Sequence, residues 1–204
     1  MCWNWQASIG MFVAGMVVTT AVVALAVRQK KRNVAALACA WYLVVAMQLF
    51  EFFAWRGERS IGFTAAFFCA NVLQIVAVFV ALVVVYDDQH RAALGAVAGA
   101  VVAAYLVIVL TTVLHDTGRS FDLRRKEPHL VYPWWTLTAG LSYMIALVIV
   151  FLCLGRPWKW SLPTLATILL ALLASFLFYR RSIASMWCFF AVFLPILFYT
   201  YSLW

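Results

Sequence analysis

The sequence predicts an all-α fold, an integral membrane bundle of seven transmembrane helices. Three observations lead there. Apolar residues fill 67% of the 204 positions, charged residues only 11%, and the mean hydropathy is +0.99; a domain of this size has too much surface for that much apolar side chain to be hidden from water. Seven apolar runs reach or approach the roughly 20 residues that a helix needs to cross a bilayer. Almost every charge falls between those runs or at their ends. In lipid the backbone must satisfy its own polar groups, so the runs are helices and not open strands.

The runs lie near 7–27, 33–55, 61–86, 92–114, 134–155, 163–180 and 185–204, in one domain. The first carries Gly10-x-x-x-Ala14, a spacing that lets backbones approach closely, and it lacks the basic flank and cleavage site of a removable leader. The basic loop Arg28-Gln29-Lys30-Lys31-Arg32 separates it from the second run, which ends at Gln48-Leu49-Phe50-Glu51 and Trp55-Arg56. A tight turn there makes the second and third runs antiparallel neighbours. The fourth follows Asp87-Asp88-Gln89-His90-Arg91 and holds Gly95-x-x-x-Gly99 among alanines, a second close-approach signal. The loop 115–133, which mixes four basic with three acidic residues, is read as a solvated connection or a contact for head groups or a partner. Pro133 and Trp134-Trp135 open the fifth run, with the indoles at interface depth. Ser161 and Pro163 look like the cap and first turn of the sixth. Pro195 lies inside the seventh and is expected to kink it.

The formal charge of +8 comes from basic clusters beside the runs, which points to a lipid bilayer with anionic head groups as the partner and not to nucleic acid. With the N-terminus outside, Arg28, Lys30, Lys31, Arg32, Arg91, Arg156 and Lys159 fall inside, seven against eight on the outer side. That balance does not orient the chain. The cluster just after the first helix does, and it favours an outside N-terminus and an inside C-terminus.

Glu51 is the single acidic or basic residue within a hydrophobic run. A carboxylate in hydrocarbon costs a few kcal/mol or more (~2.5–3.5 on insertion scales), so it belongs in the bundle interior. Gln48 shares its helical face, along with Trp41 and Trp55. Thr64, Asn71 and Gln74 form a matching stripe on the third helix, with Gln48 and Asn71 at similar depth. Gln48, Glu51, Asn71 and Gln74 are therefore the candidate residues for binding a small solute or ion. The alternative is that they only bond one another and fix packing, at about 0.6 kcal/mol per pair, with Glu51 paired to Arg56 or to a group at the outer end of the sixth or seventh helix.

Several chemistries are excluded. The four lysines sit in loops, so no retinal Schiff base is expected, and no histidine lies within a run to ligate haem or chlorophyll. Clustered histidines and acids for a metal hydrolase are missing, as is a base for Ser/His/Asp chemistry. We expect no catalytic residues, no cofactor and no metal site, since Cys2, Cys39, Cys69, Cys153 and Cys188 form no C-x-x-C pair.

Met1-Cys2-Trp3-x-x-x-Ala7-Ser8 and Ser185-x-Trp187-Cys188-x-x-Ala191 resemble an uncharacterised multi-spanning membrane-protein family of algae, protists and their large DNA viruses. Members begin Met-Cys-Trp and carry Trp-Cys at the start of the last helix. Their Glu-x-x-Gln near the end of the second helix appears here in reverse, as Gln48-x-x-Glu51, and the long Cys- and Trp-rich loop of larger members is missing. The resemblance implies no known activity. The layout alone is also similar to the sugar-facilitator and PQ-loop group, without the Pro-Gln signature.

An outside N-terminus puts Cys2 and Cys188 towards the same face. They are then either a disulfide joining the chain ends in an oxidising compartment or two unpaired thiols, with Cys69 as a competitor. Two functions follow: a bundle that binds or translocates a small solute or ion around Glu51, or a non-catalytic structural subunit of a larger membrane assembly, such as a virion membrane or organellar complex, held by other membrane subunits.

Overall fold

The computed structural model describes residues 4–58, 60–85, 91–115, 134–155, 158–178 and 190–203. Among them the chain is helical throughout: α1 (Trp5–Arg28), α2 (Arg32–Arg56), α3 (Ile61–Val85), α4 (Arg91–His115), α5 (Leu137–Leu154), α6 (Trp158–Phe178) and α7 (Leu194–Tyr201). The first five are long and apolar enough to cross a membrane, and Ser161–Leu177 in α6 is a shorter apolar stretch. The chain is an integral membrane protein. Cys2, Cys188, the Met1-Cys2-Trp3 start, the Trp187-Cys188 motif and residues 116–133 lie outside the described residues.

Consecutive helices pack as antiparallel neighbours from α1 to α3 and from α4 to α5. Helix α5 also reaches α3 and α6, and α7 closes against α6, α1 and α2, so the first and last helices meet. The helix ends are built locally. The Asn4 side chain caps α1 by accepting from Ala7 N at 2.8 Å, and Thr136 caps α5 by accepting from Ala139 N at 3.2 Å. Gly57 ends α2 at φ +100°, a conformation that costs glycine nothing.

The buried face of α1 consists of Ser8, Gly15, Thr19, Val22 and Ala26, nearly all small. The close approach falls at Gly15, where a Cβ would sit 2.9 Å from both Val192 Cγ1 and Val45 Cγ1. This corrects the motif reading, because Gly10 and Gly95 have no atom within 4 Å of such a Cβ. Gly99 is packed, against the Phe79 ring at 3.3 Å. Spacing marks small residues on one helix, whereas the opposing surface decides which of them is covered.

Helix α6 begins at Trp158, earlier than Ser161 and Pro163 suggested, and Pro163 lies inside it. Ser161 Oγ instead donates to the Gly155 carbonyl and closes the α5–α6 turn. Gly155 has to be glycine there, since a Cβ would come within 2.5 Å of Phe151 O. The N–H that Pro163 lacks would have gone to the carbonyl of exposed Lys159, at the rim, where an unmade bond costs little.

Pro195 does more than kink the last run. Phe190 and Ala191 are helical, Val192 and Phe193 form a turn, and α7 restarts with Pro195 in its first turn. A proline at 195 removes the donor for Ala191 O. Ile196 N–H then donates to Phe193 O at 3.1 Å, one residue short of the α-helical acceptor Val192 O. Two carbonyls leave the helical ladder near the middle of the 185–204 run.

At its other end α7 is clamped to the α1–α2 loop. Lys31 Nζ donates to Ser202 O at 3.0 Å and to Ser202 Oγ at 3.1 Å, and lies over the Tyr199 ring at 5.2 Å. Gln29 Nε2 donates to Tyr199 OH at 2.6 Å. A cation among the last carbonyls of a helix is favoured by the helix dipole. The residue 28–32 loop and the end of α7 therefore lie on one face of the bundle. Lys31→Gln should lower stability by about 1.5–3 kcal/mol, the worth of a hydrogen bond to a charged group, read as an earlier thermal unfolding transition in detergent.

Candidate functional site

All four residues singled out on α2 and α3 are enclosed. Gln48 and Glu51 are 0% exposed, Gln74 1% and Asn71 2%. On α2, Trp41, Gln48 and Trp55 fall within ~40° of one another at 100° per residue, and Glu51 lies ~60° further round than Gln48. Trp41 shows where this face points, because its Nε1 donates to Ala191 O at 2.7 Å and its ring packs edge-on against Phe198 at 4.8 Å. The polar face of α2 is turned to the interior beside the broken last helix.

It does not meet α3 head-on. Phe50, ~100° round from Glu51, stacks on Phe67 at 5.5 Å and touches Phe63 at 5.8 Å. Phe67 and Phe68 in turn pack on Trp134, each at 5.5 Å. An aromatic seam therefore fills the direct α2–α3 contact, with the amides beside it.

Phe50 sits between Phe63 and Phe67, which fixes the register of the pair. Glu51 is level with Thr64, Asn71 lies roughly a turn (~5 Å) deeper than Gln48, and Gln74 is level with Trp41. The expectation that Gln48 and Asn71 share a depth is corrected accordingly.

Individual partners refine the picture. Asn71 Oδ1 accepts from Trp134 Nε1 at 3.2 Å, so this amide ties α3 to the lead-in of α5. Thr64 Oγ1 donates back to Ser60 O at 3.1 Å. The Arg56 guanidinium lies over the Trp5 ring at 5.6 Å. Gln74 Nε2 and Thr19 Oγ1 are buried without a hydrogen-bond partner among the described residues.

Thr19 was missed by sequence reasoning. Gly15 against Val45, with Thr20 OH and Tyr42 OH 2.8 Å apart, places Thr19 level with Trp41. Thr19, Trp41, Gln74 and the released carbonyls of Ala191 and Val192 thus occupy one layer near mid-membrane. The carbonyl could have been found by counting four residues back from Pro195. Thr19 gave no such signal, because a threonine in a helix normally bonds its own backbone.

A cavity of about 160 Å³ lies elsewhere, between α5 and α6. Trp135, Gly140, Leu141, Met144, Leu172 and Phe176 line it, none of them ionisable, so it does not extend the polar interior. No group of three or more His, Cys, Asp or Glu side chains occurs among the described residues, where Cys39, Cys69 and Cys153 are free thiols.

Fold and site together define a polytopic membrane protein with buried amides and one buried carboxyl group enclosed by its helices. No family model matches the chain, and no curated protein or solved structure matches it.

Proposed function

We propose that this protein binds, and through binding translocates, a small polar solute or ion at the interior polar face of α2, with Glu51 and Gln48 as its principal contacts and Gln74 deeper in the same interior. The observation that carries this is the complete burial of the Glu51 carboxyl group inside a spanning helix. Such a group is expensive in a membrane and is characteristic of ion and substrate paths. The unpartnered Thr19 Oγ1 and Gln74 Nε2 near the depth of the helix break add to it, since irregular backbone at that depth is tolerated where it lines a polar interior. The basic 28–32 loop on the face of the α7 end favours an inside C-terminus.

The test is thermal unfolding of the purified chain against sodium, potassium and choline chloride at equal ionic strength, and against a panel of neutral sugars and amino acids. A ligand-specific rise in the wild type, lost in Glu51→Gln while that variant melts normally without ligand, is the expected result. The reading fails if no member of the panel shifts the wild type and Glu51→Gln lowers its melting temperature under every condition.

That second outcome would favour a structural subunit of a larger membrane assembly. The Asn71–Trp134 bond supports this alternative, because there a candidate amide serves helix packing.

A further inference from the structure

The α1–α2 loop carries more charge than the fold uses. Lys31 is committed to Ser202 and Tyr199. Its neighbours Arg28, Lys30 and Arg32 are exposed, and none has a side-chain hydrogen bond or ion pair among the described residues. The described acids, Glu51 and Glu58, lie in and just past the far end of α2. The helix bounds place Arg91 and Lys159 at the same end of the bundle as this loop.

The loop is also held in shape. Gln29 is bonded to Tyr199, Lys30 sits at φ +57°, and Lys31 N–H donates to Ala26 O at 2.8 Å. It joins two membrane-crossing helices, which puts it at head-group depth.

We propose that Arg28, Lys30 and Arg32 form a binding site for the phosphate of an anionic phospholipid, seated on the loop that also holds the last helix. Charge complementarity at a fixed depth carries this: three exposed cations, without an ion pair among the described residues, lie at the layer of the lipid phosphates. A lipid there offsets their mutual repulsion and stabilises the Lys31–Ser202 clamp beside it. The site is independent of the solute reading, because it lies at the end of α2 opposite Glu51.

The experiment uses the full chain in nanodiscs of equimolar phosphatidylglycerol and phosphatidylcholine, released for native mass spectrometry. Phosphatidylglycerol should be retained over phosphatidylcholine. At ~1 kcal/mol per basic residue, its enrichment should fall about fivefold for each of Arg28→Gln, Lys30→Gln and Arg32→Gln. Thermal unfolding in uncharged detergent supplies a second readout: phosphatidylglycerol should raise the transition more than phosphatidylcholine does, and 0.5 M salt should erase the difference by screening. Retention of both lipids in proportion to their supply overturns the proposal. So do enrichment unchanged in all three single variants, and inorganic phosphate raising the transition as much as the lipid, which would assign the loop to a free anion.

Discussion

Trp41→Phe should be among the most destabilising substitutions in this chain that keep an aromatic ring. The indole N–H is the donor that replaces the backbone N–H missing at Pro195, and both it and Ala191 O are buried. Phenylalanine keeps the ring contact with Phe198 in part but leaves the carbonyl orphaned, at about 1–3 kcal/mol, and the smaller ring adds a cavity cost on top. Pro195→Ala restores an N–H four residues after Ala191, so it should rescue Trp41→Phe. The measurement is a double-mutant cycle from unfolding midpoints in detergent. The double variant should lie at least ~1 kcal/mol above the sum of the singles, as expected for two groups competing for one acceptor. Additivity within ~0.3–0.5 kcal/mol would show that the tryptophan and the proline act independently.

Gly15→Leu should cost about as much, by a different mechanism. Even a Cβ at this position would collide with Val192 and Val45 at 2.9 Å, so α1 would have to move away from α2 and the last helix together. Overpacking of this kind costs about 1–3 kcal/mol or more. Gly10→Leu and Gly95→Leu serve as controls, because nothing lies within 4 Å of their Cβ positions. They should stay within about 0.5 kcal/mol of wild type, as surface substitutions usually do. The comparison is read from unfolding midpoints of the three variants prepared side by side. Equal losses at Gly10 and Gly15 would mean that the contact at Gly15 does not set the cost, since helix propensity favours leucine over glycine at both.

The amino-acid sequence determined the class of this protein by itself. Apolar runs of membrane-crossing length, separated by charges, admit only helices in lipid, and the bounds of α2 follow from the basic residues at its two ends. It also determined that Glu51 and Gln48 point inward, since a lipid-facing carboxylate is too costly. What the chain alone left undecided was the pairing of surfaces. Gly10 and Gly15 read alike in sequence, and only the helix opposite shows that Gly15 is the one covered. Asn71 looked like a partner for Gln48 until the Phe50–Phe67 stack set the register and Trp134 took the amide. Arg56 lies over the Trp5 ring, a contact that nothing in the sequence marked. Pro195 announced a disturbance, but its consequence, a carbonyl handed to Trp41 from a residue 150 positions away, belongs to the tertiary structure. Local chemistry sets what each segment must be. The contacts between segments far apart in the chain decide which of its polar groups are used in packing.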